Sequence, residues 1–250
     1  MPTFGNLFAM RPIHILLLLL LHAEGTVYAQ LGFGPEIGVG QSSMRFTPPQ
    51  DVIIYPFASE KPIASGKIGC LGDVPLSKHM YFQFGLFVSR KGAVRDFSYY
   101  KNDSFNESIN QTLYINYFDL PINVIFKSGH QGRGRFMFGL GAVPSYIIGG
   151  RNKLKDHQVF NDTLTVTNDD VKIAIGKTLS GFDIGLNITG GYELPTGLFF
   201  RAYYTTGVRD LGLGTEIDKN RMWGIAAGYL FGKGRNVNKD AEDLIDKSSD

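Results

Sequence analysis

From residue 31 onward the chain alternates between apolar and polar positions. In residues 180–193 the even positions Phe182, Ile184, Leu186, Ile188 and Tyr192 are apolar. The odd positions Asp183, Gly185, Asn187, Thr189, Gly191 and Glu193 are polar or small. Successive side chains of a strand point to opposite faces, so this period of two predicts a strand with one greasy face and one polar, small face. The split recurs. Phe82, Phe84, Leu86 and Val88 oppose Tyr81, Gln83, Gly85 and Ser89; Phe118, Leu120, Ile122, Val124 and Phe126 oppose Asp119, Asn123 and Lys127. Phe136, Phe138, Leu140, Ala142, Tyr146 and Ile148 oppose Arg135, Gly139, Gly141 and Ser145. Leu198, Phe200, Ala202 and Tyr204 oppose Arg201, Tyr203 and Thr205, and Trp223, Ile225, Ala227, Tyr229 and Phe231 oppose Gly224 and Gly228. Residues 31–46 and 62–73 are less regular, but Glu36, Gly38, Gly40, Lys67 and Asp73 fit the polar face. The pattern predicts eight strands.

The connections alternate in length. Long ones cover residues 47–61, 97–110 and 151–177, with a medium one at 210–220; tight turns fall at 75–79, 128–134 and the ELPTG segment. In the longest, DTLTV and VKIAI flank Asn168-Asp169-Asp170, which predicts a separate hairpin turning at those three residues. Up-and-down order puts every long loop at one end and every short turn at the other.

Alternation also fits a soluble barrel with its apolar face inward. Three features favour the inverted, membrane-embedded arrangement. The polar face is loaded with Gly, which weakens a water-facing strand but lets large side chains fit a narrow eight-stranded lumen. Long loops at one end and short turns at the other are the habit of outer-membrane barrels, and Tyr229-Leu230-Phe231 supplies an aromatic finish suited to an interfacial girdle. The reading is therefore an all-β, eight-stranded antiparallel up-and-down transmembrane β-barrel with long extracellular loops and short periplasmic turns.

Residues 1–29 read as a cleaved secretory signal: Arg11, the apolar run IHILLLLLL, then Val27-Tyr28-Ala29 before Gln30. That run is too short to span a bilayer as a helix. The domain reading is a signal over 1–29, a barrel over 30–232 and a flexible periplasmic tail over 233–250. With both termini periplasmic, the chain is placed in the bacterial outer membrane after Sec export.

The segments LGFGPEIGVG, YFDLPINVIFK, GLGAVPSYIIGG and WGIAAGYLFG together resemble the PorT-like outer-membrane β-barrel family of Bacteroidetes. The resemblance spans the chain from the signal to about Gly232. It implies an eight-stranded outer-membrane barrel, no assigned activity for most members, and assistance to protein export for some. Such barrels usually stop at the final aromatic, whereas here residues 233–250 follow.

Composition then narrows the chemistry. Lys+Arg total 25 against 23 Asp+Glu, a balance that argues against nucleic acid as a partner. One Cys makes no intramolecular disulfide, and Cys70 falls on the apolar face as a small hydrophobe. The inward charged candidates are Glu36, Lys67, Asp73, Asp119, Asp183, Glu193, Arg201 and Arg209. They read either as a conduction path or as a packed structural network; a narrow lumen favours the network. A lipid A deacylase would need His-x-Ser, but His79, His130 and His157 are followed two residues on by Tyr81, Gly132 and Val159. His157 beside Asp156 is the sole conceivable acid/base pair, and loop histidines are usually solvated, so the expectation is no enzyme, cofactor or metal. The apolar VIIYPFA segment makes Ile53, Ile54, Tyr55 and Phe57 the candidate loop contact for a protein or glycan partner. The expectation is a monomeric, non-enzymatic barrel bound by outer-membrane lipid, with an envelope-structural or partner-binding role; the alternative is a narrow channel or secretion accessory.

Overall fold

A computed structural model describes residues 31–47, 57–102, 105–129, 134–160, 163–176, 180–211 and 217–232. The signal over 1–29, the tail over 233–250 and the loop residues Ile53, Ile54 and Tyr55 lie outside the described residues. Ten strands follow one another: β1 (Gly32–Thr47), β2 (Phe57–Pro75), β3 (Met80–Asn102), β4 (Phe105–Asp119), β5 (Ile122–Lys127), β6 (Arg135–Phe160), β7 (Thr163–Lys172), β8 (Phe182–Glu193), β9 (Leu198–Gly207) and β10 (Ile217–Tyr229).

These make an eight-staved ring. β1 pairs with both β2 and β10, and the antiparallel ladder continues through β3, the β4/β5 stave, β6, β8 and β9. β4 and β5 are one stave interrupted at Leu120-Pro121, because Pro121 has no N–H to give. Leu120 N–H donates to Pro144 O at 2.8 Å and Gly85 N–H to Pro121 O at 3.0 Å, so the stave stays in register. The seam closes where Phe33 and Phe231 exchange backbone bonds of 2.9 and 2.6 Å. No edge is left within the ring, which a spanning sheet requires.

The faces are inverted relative to a soluble barrel. Phe84, Leu86, Val88, Phe118, Ile122, Val124, Phe138, Leu140, Leu186, Ile188 and Ile225 are all exposed, while Glu36, Gln83, Asp119, Asn123, Asp183 and Arg201 are buried. Across the β4/β5 interruption the phase is unbroken, with Phe118, Leu120, Ile122, Val124 and Phe126 outward. On β3 the apolar band from Met80 to Val88 rises roughly 20 Å at a strand tilt of about 40°, close to the ~25 Å band of outer-membrane barrels. Cys70 is exposed on this face. Aromatic pairs ring the short-turn end: Phe33 with Phe231 (5.9 Å), Tyr229 with Phe231 (4.6 Å) and Phe136 with Tyr192 (5.0 Å).

Three expectations about the long connections change. Residues 97–110 are not a loop, because β3 and β4 stay paired up to Asn102 and Phe105. Residues 57–61 belong to β2, so Phe57 pairs with Ser98 instead of lying at a loop tip. The upper hairpin forms by β6 with β7, but β7 runs straight through residues 168–170 and the reversal lies between Phe160 and Thr163. Asp170 there faces Lys153 and lies 3.4 Å from the Arg151 guanidinium, so its charge is used across the ladder instead of in a turn. Together β2, β3, β4, β6 and β7 form a paired wall above one side of the barrel.

Inward glycines set how closely the lumen packs. A Cβ at Gly38 would sit 3.0 Å from Lys67 Cε and 3.2 Å from a ring carbon of Tyr203; one at Gly228 would overlap the Phe199 ring. A Cβ at Gly149 meets nothing within 4 Å. Gly228→Val is expected to cost about 1–3 kcal/mol as an overpacked site, whereas Gly149→Ala stays within about 0.5 kcal/mol. Urea titration of the refolded barrel, read by its faster migration on unheated gels, measures both.

Candidate functional site

Chemistry-bearing side chains converge in the lumen, in three tiers. Nearest the short turns, Lys127 at the end of β5 sits between two carboxylates. Its ammonium pairs with Asp73 of β2 and lies 2.7 Å from Glu193 of β8. Glu193 also takes the Arg135 guanidinium at 2.7 Å, and Arg135 donates to the Tyr81 hydroxyl at 2.7 Å. The Tyr81 ring lies 4.5 Å from the Lys127 ammonium, a cation–π contact in a dry setting.

In the middle tier Glu36 of β1 is held between Lys67 at 2.8 Å and the Arg201 guanidinium. Arg201 also donates to Gln83 Oε1 at 2.6 Å, and Gln83 donates to Asp73 at 3.3 Å, which joins this tier to the first. Lys67 stands 4.0 Å over the Tyr203 ring and 5.0 Å over Phe87. Toward the long-loop end Asp119 accepts from Lys91 at 3.0 Å, Ser89 at 2.6 Å and Ser145 at 2.6 Å. Asp183 accepts from Asn220 at 3.2 Å, and Asn220 also reaches the Tyr117 hydroxyl. Above them Met44, Ala93, Leu113, Ile115, Tyr117, Ile147 and Leu211 form an apolar cap.

Opposite charges alternate across the tiers because a lone ion in this interior would carry a desolvation cost of several kcal/mol. Two small cavities border the tiers among the described residues. One cavity of about 30 Å³ is bordered by Lys67, Asp119, Asn187, Arg201 and Tyr203, and one of about 10 Å³ by Lys91, Ser145 and Asp183. The larger has space for about two waters and the smaller for at most about one. Tyr203 Oη and Asp183 Oδ1, which lack a hydrogen-bond partner among the described residues, border these cavities. No group of three or more His, Cys, Asp or Glu among the described residues converges as a metal would need.

Seven of the eight residues expected inside are placed there: Glu36, Lys67, Asp73, Asp119, Asp183, Glu193 and Arg201. Arg209 is not. β9 ends at Gly207, so the odd-position phase that carries Arg201 and Tyr203 inward has no meaning two residues later. Arg209 is exposed, its guanidinium 5.6 Å over the outward Phe182 ring. The cations that complete the network, Lys91, Lys127 and Arg135, were not singled out as sites, although each shares the phase of an inward neighbour: Ser89, Ile125 and Met137.

Residues 23–213 match the family described as outer membrane protein beta-barrel domain. The chain belongs to that family. Three solved structures are similar to the chain at low identity. OprG of Pseudomonas aeruginosa is 8% identical, covering 82% of this chain and 99% of its own, at a TM-score of 0.40. Ail of Yersinia pestis, solved with the heparin analogue sucrose octasulfate, is 13% identical over 81% and 99%, at 0.38. Neisserial surface protein A is 10% identical over 80% and 97%, at 0.37. No curated protein matches the chain. As an outer-membrane barrel, this family member carries in its lumen what a soluble protein carries in an apolar core.

Removing a charge from this filling strands its partners. Lys127→Ala is expected to destabilise the barrel by about 3–5 kcal/mol, since Asp73 and Glu193 lose their shared cation. Lys61→Ala, at an exposed pair 2.7 Å from Asp96, is expected to cost at most about 1 kcal/mol. Urea midpoints of the two variants in the same lipid test the difference.

Proposed function

We propose that this outer-membrane barrel is a non-enzymatic, non-conducting envelope protein that presents its long-loop end to a partner. The observation that carries the proposal is the filled lumen. Ion pairs span it in successive tiers, and the two cavities that border them among the described residues have room for a water or two. A path for ions would need a continuous wet column, so the tiers weigh against the channel or secretion-accessory reading. The paired wall of β2, β3, β4, β6 and β7 gives the long-loop end an ordered platform of the kind that carries binding surfaces, and Ile53, Ile54, Tyr55 and Phe57 are the segment proposed to meet a protein or glycan partner.

Kinship with the PorT-like barrels of Bacteroidetes is part of the proposal, supported by the motifs quoted above. So is the topology: an even number of staves puts both ends of the barrel on the short-turn side. Residues 1–29 then act as an export signal, and residues 233–250 lie in the periplasm.

The protein reconstituted in planar bilayers is expected to give no single-channel steps above the lipid background. Reproducible steps that disappear when Lys127 or Arg201 is replaced would overturn the plugged reading and favour the channel. In intact cells a protease is expected to leave residues 233–250 uncut and to remove them once the periplasm is opened; cleavage in intact cells would reverse the topology.

A further inference from the structure

Above the lipid band the wall of β2, β3, β4, β6 and β7 ends in two strand edges, and they are built differently. One belongs to β2, which parts from β1 beyond Ile63 and pairs on its other side with β3. Glu60, Lys61 and Pro62 are exposed along that stretch, and the ladder shifts register between Pro62 and Gly66. Charge, proline and a bulge are the means by which a sheet edge is closed to further strands. The other edge is β7. Its ten residues contain neither Gly nor Pro, five are β-branched, and its ladder with β6 runs unbroken from Thr163 to Lys172. Among the described residues β6 is its sole partner, and Leu164 through Lys172 are exposed.

The register decides which backbone groups of β7 stand open. Ile173 N–H donates to Gly150 O at 3.1 Å, and the next pair of the same ladder is Arg151 with Lys172. Bonding alternates with a period of two in an antiparallel ladder. The odd residues of β7 therefore turn their backbone groups to β6, and Leu164, Val166, Asn168, Asp170 and Lys172 aim theirs away from the sheet. Side chains add a pattern. Asp170 is occupied by Arg151 at 3.4 Å. Asp169, on the opposite face, stands across from Leu154, which offers it no charge. Lys172 stands across from Arg151, so like charges adjoin at that level. Leu164 and Val166 are exposed at the upper end. An incoming antiparallel strand is complementary when it sets an acid beside Lys172, a base beside Asp169 three residues on, and apolar side chains beside Val166 and Leu164.

We propose that β7 is an acceptor edge at which an extended segment of another protein adds as an antiparallel strand, with that order of acidic, basic and apolar residues. The occupant is a different protein because all copies in one membrane point β7 the same way, so two of them cannot meet antiparallel. In strand addition the backbone bonds supply the affinity and the alternate side chains the selectivity. The inference rests on the reading that the long-loop end faces a partner; it does not depend on whether the lumen conducts.

The full-length protein is reconstituted in lipid nanodiscs, and amide exchange along β7 is followed with the synthetic peptide Glu-Val-Thr-Lys-Thr-Thr-Val-Thr-Val, which has the complementary order. Without peptide the amides of Val166, Asn168 and Asp170 are expected to exchange several-fold faster than those of Thr165, Thr167 and Asp169. Saturating peptide is expected to slow the first set to the rate of the second. A peptide with its Glu and Lys exchanged is expected to bind several-fold more weakly. V166P together with N168P removes only N–H groups aimed away from β6, and is expected to abolish binding while Thr165 and Thr167 stay protected. Equal binding of the two peptides, binding that survives the prolines, or no binding overturns the proposal. Slow exchange at Val166, Asn168 and Asp170 without peptide also overturns it, whether a second copy or the chain itself covers the edge. Placement is read separately. T165C in a C70A background is expected to react with a membrane-impermeant maleimide on intact cells. Failure to react would sink the partner-facing reading itself, whereas reaction without peptide binding sinks the acceptor edge alone.

Discussion

A backbone amide in hydrocarbon has no water to bond, so a strand crossing a membrane must find a partner on both sides along its whole length. In this chain that requirement is met at one small seam, where Phe33 and Phe231 exchange their backbone bonds and join the first strand to the last. Much else follows from closing the ring at eight staves. The circumference fixes a bore narrow enough for side chains to fill. The exterior must be apolar because lipid surrounds it. The interior inherits every polar residue that the alternation sends to the other face.

Filling that bore without water sets a problem of size as well as charge. Gly38 yields to Lys67 and Tyr203, and Gly228 to Phe199, so large inward side chains are accommodated by neighbours that have none. The charges are accommodated by mutual pairing, with aromatic rings at Tyr81, Tyr203 and Phe87 standing against the ammonium groups where no carboxylate reaches. This is the same close packing that stabilises a soluble core, carried out with ion pairs and hydrogen bonds in place of methyl groups.

Most of this was legible as a period of two, because one rule fixed both the strand and the direction of each side chain. Where contrast between the faces fell, legibility fell with it. β1 sets Gly34, Gly38 and Gly40 on its inner side and Pro35 outside, and β2 carries a register shift between Pro62 and Gly66, so neither strand shows a clean split. The upper parts of β3, β4 and β6 stand beyond the lipid band, and an Asn- and Ser-rich ladder with polar residues on both faces carries no apolar signal. Asn168, Asp169 and Asp170 have the composition of a turn, yet they stand in the β6/β7 ladder, with Asp170 opposite Lys153 and 3.4 Å from Arg151. Arg209 was misplaced for a simpler reason: the alternation was extended past the residue at which β9 ends. Lys91, Lys127 and Arg135 lay in the inward phase and needed only to be read as partners of the acids.

The ties inside the lumen are long in sequence. Lys127 joins residues 54 and 66 positions away, and Arg201 reaches Gln83 across 118. Glu36 with Lys67 on β1/β2 and Lys91 with Asp119 on β3/β4 can pair within one hairpin, but the partners of Lys127 and the Gln83 partner of Arg201 lie on staves that no single hairpin joins. Those longer ties can form only when staves far apart in the chain have come together, so the charges of Lys127 and Arg201 gain their full set of partners only as the ring closes.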